Sequence, residues 1–272
     1  MRDAHGSPWS EVNVSERPLI LLSNDDGVHA KGLLELASAL ACLGDVFVVA
    51  PEREQSASSH RITLSEPLRH RELGANVHAV DGTPADCIYV ALNLKGLLPR
   101  RPAVLVSGIN HGLNLGMDVV YSGTVAAARE GALRGLRAAA FSADPQADMA
   151  LVAAHAAGLV ERLLALSTPL TPLLFNVNYP RQVPLGVKPT RLGRREYEDL
   201  VEARTDPRGR SYYWIGGPVS EHDCSEGADT TAVDGGYVSI TPLALELTNY
   251  AQHGLAAELS GQYSDPADRG HS

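Results

Sequence analysis

The apolar positions of this chain fall into short unbroken runs separated by amphipathic stretches, which predicts strands and helices in alternation. Leu19-Ile20-Leu21-Leu22 shows no polar alternation, so the run predicts a strand covered on both faces, as in a parallel sheet between helix layers. A helix is expected over residues 32–40, a second buried strand over 45–50 stopped by Pro51, and a short strand over 77–80. Gly82-Thr83-Pro84 then opens an apolar helix to Leu92, with Thr83 near its N-cap and Pro84 in its first turn. Residues 104–107 predict another buried strand, and Ser122-Gly123-Thr124 begins an Ala-rich helix. A second Ala/Leu-rich helix covers 151–166, and a strand over 173–178 is ended by Pro180, with Asn178 read as a turn residue in preference to a distant site contributor. From Arg191 the chain becomes polar, aromatic and glycine-rich; residues 211–217 read as strand-like and 237–243 alternate like a half-buried strand.

This order predicts an α/β protein: a mostly parallel sheet with helices on both faces, plus a β-rich C-terminal extension. Residues 1–17 read as a flexible leader, 18–185 as the catalytic core, 186–260 as the extension serving oligomerisation, and 261–272 as a frayed tail. The 272 residues carry a formal net charge of −9, which argues against a nucleic-acid polymer or an anionic membrane as the main partner. Cys42, Cys87 and Cys224 lie far apart and form no CxxC pair, so neither a disulfide framework nor a zinc site is expected. The leader lacks an apolar signal core and no run is long enough to span a bilayer, so a cytoplasmic protein is expected.

Ligands of open parallel sheets sit beyond the carboxyl ends of the strands. Three loops leave such ends here. The first carries Asp25-Asp26-Gly27; on its own this is an ordinary turn, yet adjacent carboxylates repel unless a cation or proton lies between them. The second, residues 52–60, is polar and contains Ser56; the third, 108–116, contains Asn110, His111 and Asn114. Asp25, Asp26, Ser56 and Asn110 form a hard oxygen donor set, suited to Mg²⁺, Mn²⁺ or Ca²⁺ rather than zinc. Beside them, the helix start at Ser122, Gly123 and Thr124 favours an anion. The glycine spacing is neither a dinucleotide fingerprint nor a P-loop. A metal site next to an anion site points to metal-assisted phosphoryl chemistry.

Several motifs then carry a specific resemblance. Ser23-Asn24-Asp25-Asp26-Gly27-Val28-His29-Ala30, Val49-Ala50-Pro51-Glu52-Arg53, Gly82-Thr83-Pro84-Ala85-Asp86-Cys87 and Ser107-Gly108-Ile109-Asn110 resemble the SurE family of survival-protein nucleotidases. So do Asn114-Leu115-Gly116, Tyr121-Ser122-Gly123-Thr124-Val125-Ala126-Ala127-Ala128 and Asp206-Pro207-Arg208-Gly209-Arg210, in one order from about Leu19 to about Thr248. The resemblance implies a Rossmann-like core, an extension exchanged between subunits, and a homodimer or homotetramer. It implies a phosphatase that needs one divalent ion, Mg²⁺ or Mn²⁺, and acts on nucleoside 5′- and also 3′-monophosphates, sometimes on short polyphosphate. The family's metal positions fall on Asp25, Asp26, Ser56 and Asn110, and its phosphate contacts on Asn114, Ser122, Gly123 and Thr124. Ala103 stands where the family often has aspartate, and the Ser56 loop lacks a glycine frequent there.

Asp25 or Asp26 would orient or deprotonate the attacking water, and His111 is a candidate general acid. Two rivals remain open at this level. A haloacid-dehalogenase-like phosphatase would use an Asp nucleophile with a second Asp two residues on, where this chain has Gly27 or Val28. A non-catalytic nucleotide- or metal-binding module would use the same loops without turnover.

Overall fold

Strand β1 (Leu19–Ser23) is buried at every position, because side chains on both of its faces meet helices. Ile20 and Leu22 join a layer with Leu33 and Leu36 of α1 (Lys31–Leu40). Leu19 and Leu21 join the opposite layer, built on other helices. The computed structural model describes residues 17–261, apart from 169, 171, 199 and 218. The leader expected over 1–17 and the tail expected over 261–272 lie outside the described residues, but for Arg17 and Gly261.

The chain continues through β2 (Asp45–Pro51), the exposed β3 (His70–Gly74), β4 (Val77–Val80) and α2 (Pro84–Asn93). Thr83 caps α2 in a reciprocal capping box with Asp86, as the Gly-Thr-Pro turn suggested. Then come β5 (Val104–His111), α3 (Gly123–Leu133), β6 (Arg137–Ala143), α4 (Met149–Ala165) and β7 (Leu174–Tyr179). β8 (Val187–Pro189), β9 (Arg195–Tyr197), β10 (Leu200–Thr205), β11 (Ser211–Gly216) and β12 (Val219–His222) follow, before α5 (Asp229–Asp234), β13 (Val238–Pro242) and α6 (His253–Gly261).

Nine strands form one sheet in the order β3-β4-β2-β1-β5-β6-β7-β13-β8. The pairs from β4 across to β7 are parallel, whereas β3 and β13 run antiparallel to β4 and β7. Helices α1 and α4 cover one face and α2 and α3 the other. This is the mostly parallel α/β architecture with helices on both faces. Two antiparallel ribbons, β10–β11 and β9–β12, stand apart from the main sheet.

Three features differ from the sequence pattern. β6 was not anticipated: Arg-Ala-Ala-Ala-Phe-Ser-Ala over 137–143 is poor in branched residues, yet all but Arg137 are buried between neighbouring strands. β5 does not stop at Ser107; after a register shift it resumes pairing, Asn110 with Ser142 and His111 with Ala143, so Asn110 sits on a strand end. The boundary at 185/186 does not divide the sheet, because β8 and β13 complete its far edge beside β7. The half-buried alternation of 237–243 fits that edge, since a strand near a sheet margin keeps one partly open face.

Candidate active site

The end of β1 is sewn to the next loop by backbone hydrogen bonds. The Val28 amide donates to the Pro51 carbonyl at 2.8 Å, and the Gln55 amide to the Asp25 carbonyl at 2.8 Å. Gly27 has φ +99°, and a Cβ on it would lie 3.3 Å from the Arg53 carbonyl carbon, so glycine serves both the turn and the close approach. The Asn24 side-chain amide donates to the Gly27 carbonyl at 2.9 Å and fixes the turn.

Asp25 is thereby aimed at the start of α3. The Thr124 hydroxyl and backbone N–H both donate to its carboxylate. Burial pushes the Asp25 carboxyl up to about 6; the Thr124 hydrogen bonds oppose this and the Asp26 charge adds to it. A Cβ on Gly123 would sit 2.8 Å from the Asp25 Cβ and 2.9 Å from the Ser58 hydroxyl, so only glycine lets the helix start come this near. Asp26 is half-buried and accepts the His111 backbone N–H at 3.2 Å. Burial raises its carboxyl too; His111 works against that and the Glu54 charge with it.

The remaining expected residues are placed unequally. Asn110 lies beside His111 on the strand end and donates to the Gly112 carbonyl at 2.9 Å. His111 is exposed, and its backbone N–H makes the hydrogen bond to Asp26. Ser56 is exposed, and its hydroxyl donates to Glu54 at 2.8 Å rather than facing the aspartates directly. Ser122 caps α3 through the Val125 N–H at 3.1 Å. Thr124 spends its hydroxyl on Asp25, so the anion at the helix start is the protein's own carboxylate.

Asn114 is buried and held from behind. Its amide donates to Asn178 Oδ1 at 2.8 Å, and its carbonyl accepts from Asn176 at 2.8 Å and Asn178 at 3.1 Å. Its own side chain donates to Ser142 at 2.8 Å. Asn178 is thus a buried strand residue gripping the site loop, not the turn residue its place before Pro180 suggested.

A profile described as Survival protein SurE matches residues 20–199 of the chain. The chain is 52% identical over 257 residues to a protein named 5′-nucleotidase SurE from Sorangium cellulosum, covering 92% of this chain and 98% of that one. It is 46% identical over 254 residues to another of that name from Aeromonas hydrophila, covering 89% and 99%. The crystal structure of the SurE protein from Aquifex aeolicus superposes with a TM-score of 0.78 at 39% identity, covering 89% of this chain and all of that one. The chain belongs to the SurE family.

The residues at this family's motifs suit a hard cation. Asp25 and Asp26 are two adjacent carboxylates raised by burial, and among the described residues neither meets an Arg or Lys in an ion pair. The Ser58 hydroxyl, against Gly123, is buried without a hydrogen-bond partner. No group of three or more His, Cys, Asp and Glu side chains could hold a metal among the described residues, so a cation here depends on neutral oxygens beside the aspartates.

Sequence reasoning missed three contributors. Ser58 sits in the polar loop beside Ser56 and Ser59, whose chemistry is identical; only packing against Gly123 distinguishes it. Asp229, 113 residues beyond Gly116, is fully buried and accepts from the amides of Gly116 at 2.9 Å and Gly193 and Thr230 at 2.8 Å. Asp118 likewise accepts from Arg195 at 2.6 Å and Tyr197 at 2.8 Å. The late part of the chain therefore fastens the turn leading into Ser122.

Proposed function

We propose that this chain is a divalent-metal-dependent 5′-nucleotidase that hydrolyses nucleoside monophosphates to nucleoside and phosphate. The observation that carries the reading is the pair of carboxylates raised by burial, Asp25 and Asp26, unpaired with Arg or Lys among the described residues and set against the α3 start, in a chain half identical to proteins named 5′-nucleotidase. Asp25, Asp26 and Asn110 would hold the ion, with Ser56 reaching it once its hydroxyl leaves Glu54. Bound there, Mg²⁺ or Mn²⁺ would offset the phosphoryl charge and polarise the phosphorus.

The side chains divide the rest of the work. The Ser58 hydroxyl and the Gly123 amide are donors for phosphoryl oxygens at the helix start, with Asn114 holding the loop opposite. Thr124 fixes Asp25, which leaves Asp26 as the carboxylate free to orient the attacking water through Oδ1 while Oδ2 stays on the His111 amide. The exposed His111 would act as the general acid toward the leaving oxygen. Activity on 3′-monophosphates and on short polyphosphate belongs to the same reading. Among the described residues no helix is long and apolar enough to cross a membrane; we place the protein in the cytoplasm as a homodimer or homotetramer.

Phosphate release from a panel of 5′- and 3′-nucleoside monophosphates and tripolyphosphate, with chelator and then with Mg²⁺ or Mn²⁺ restored, tests the proposal. Turnover should vanish with chelator and return with metal. A folded sample silent on the whole panel with either metal would overturn it in favour of a non-catalytic binding module.

A further inference from the structure

A cavity of about 490 Å³ lies beside the catalytic loop, lined among others by Gln55, Arg61, Leu64 and Leu68. Its size falls within the range of roughly 300–1,000 Å³ common for small-molecule sites. Gln55 lines this cavity and ties it to the loop after β1, because its backbone amide is bonded to the Asp25 backbone carbonyl. A substrate with its phosphoryl group at Asp25 would therefore extend into the cavity with whatever the phosphate esterifies.

The wall of the cavity is built rather than loose. Asp86, 1% exposed at the start of α2, accepts from the Thr63 amide at 2.8 Å, the Thr63 hydroxyl at 2.7 Å and the Thr83 amide at 2.9 Å. The Thr83 hydroxyl donates to the Arg61 carbonyl at 2.6 Å. One buried carboxylate and one cap residue thus fix the backbone of residues 61–63. Side chains presented from a fixed backbone lose little further entropy when they meet a ligand.

What the wall presents is specific. Arg69 is paired with Asp81, but the Arg61 guanidinium has no hydrogen bond or ion pair among the described residues, in a chain of net charge −9. Leu64 is 90% exposed, and with Leu68 it offers the cavity an apolar face. Gln55 adds a neutral group that both donates and accepts. Two leucine side chains beside an unpaired planar donor and an amide match a heterocyclic base, with its hydrophobic faces and its rim of nitrogen and carbonyl acceptors.

Resting on the nucleotidase reading, we infer that this cavity receives the nucleoside of the substrate and that Arg61, Leu64 and Gln55 set the preference for nucleotides over other phosphomonoesters. The unpaired guanidinium takes the polar edge of the base and the leucines its face.

The test compares kcat/KM for nucleoside 5′-monophosphates with kcat/KM for p-nitrophenyl phosphate, whose leaving group has neither the ribose nor the acceptor rim. It uses the full-length metal-loaded wild type, Arg61→Ala and Leu64→Ser; both side chains are exposed, and thermal melts verify folding. The nucleotide-to-nitrophenyl ratio should fall on the order of tenfold in Arg61→Ala and by a smaller factor in Leu64→Ser. Calorimetry of the chelated protein with phosphate-free nucleosides gives a readout independent of turnover, in which Arg61→Ala should weaken binding. A wild type active on nucleotides whose ratio is unchanged in both variants would overturn the inference and leave the nucleotidase reading standing. A wild type active on nitrophenyl phosphate and inactive on every nucleotide would overturn both.

Discussion

Asp25 stands where the needs of the fold and of the chemistry conflict. A carboxyl raised from 3.8 to about 6 is ionised at neutral pH, and the shift corresponds to a folding cost of about 3 kcal/mol for the charged form. Thr124 relieves part of that cost, and under the proposed function a bound cation would relieve more. Asp25→Asn keeps an oxygen for the Thr124 hydroxyl and removes the charge. We expect this variant to lose metal-dependent phosphate release while the chelated protein melts several degrees higher than wild type. Phosphate assays paired with thermal melts in chelator check both halves, and retained turnover would refute the role of Asp25 in holding the ion. At this scale the sequence is eloquent about charge and mute about packing. Adjacent aspartates at a strand end stand out in any reading, whereas Ser56, Ser58 and Ser59 are alike until the structure assigns them. Ser56 bonds Glu54, Ser59 bonds the Val120 carbonyl at 2.7 Å, and Ser58 is left facing Gly123.

Elements were legible in proportion to how far their hydropathy departs from average. β1, β2 and β7 are dense in large apolar residues and were found; β6, built on alanine, was not. The polar loops after β1, β2 and β5 stand out as a candidate site because polar residues recur at successive strand ends, but what the buried asparagines of β7 hold is not legible, since their partners lie on another loop. The outer edge of the sheet carries a property no pattern indicated. His78 of β4 stacks on Phe47 of β2 at 4.8 Å and on His70 of β3 at 4.8 Å, with His78 Nδ1 2.7 Å from His70 Nε2. Burial lowers the His78 pKa below its ordinary 6.5, the His70 charge lowers it further, and Glu72 opposes. Arg71, beside His70 on β3, is engaged with Glu52. A histidine lowered on folding binds fewer protons in the native state than in the unfolded chain. Its contribution is therefore complete above pH 6.5 and is lost as pH falls toward the lowered native value. Wild-type unfolding free energy should decline between pH 7 and 5 more steeply than that of His78→Phe, which keeps the stack without titrating. Denaturant melts across that range provide the difference, and parallel curves would remove the pair from the account.

For the molecule as a whole, the core and the late chain answer to different constraints. The sheet between residues 19 and 179 follows from burial on both faces, so its class was readable from apolar runs alone. The β10–β11 ribbon follows no such rule. All its residues are exposed, Val201 at 62%, Trp214 at 60% and Ile215 at 88%, and Val201 pairs directly with Ile215 across the ribbon. A two-stranded ribbon with apolar side chains in water is marginally stable by itself, and such a patch is what one copy of a protein offers another. Residues flanking the ribbon, Arg195 and Tyr197 before it and Asp229 after it, fasten the turn that leads into Ser122. Replacing residues 200–216 by a short Gly-Ser turn should shift the protein to a smaller species in sedimentation velocity while its far-UV spectrum keeps the α/β signature. Because Arg195 and Tyr197 lie before the excised ribbon and Asp229 after it, their contacts to the Ser122 turn remain, and nucleotide turnover should persist at a reduced level. An unchanged sedimentation coefficient would mean that the ribbon does not hold the assembly together, and that the exposed apolar row serves some contact other than one between copies of this chain.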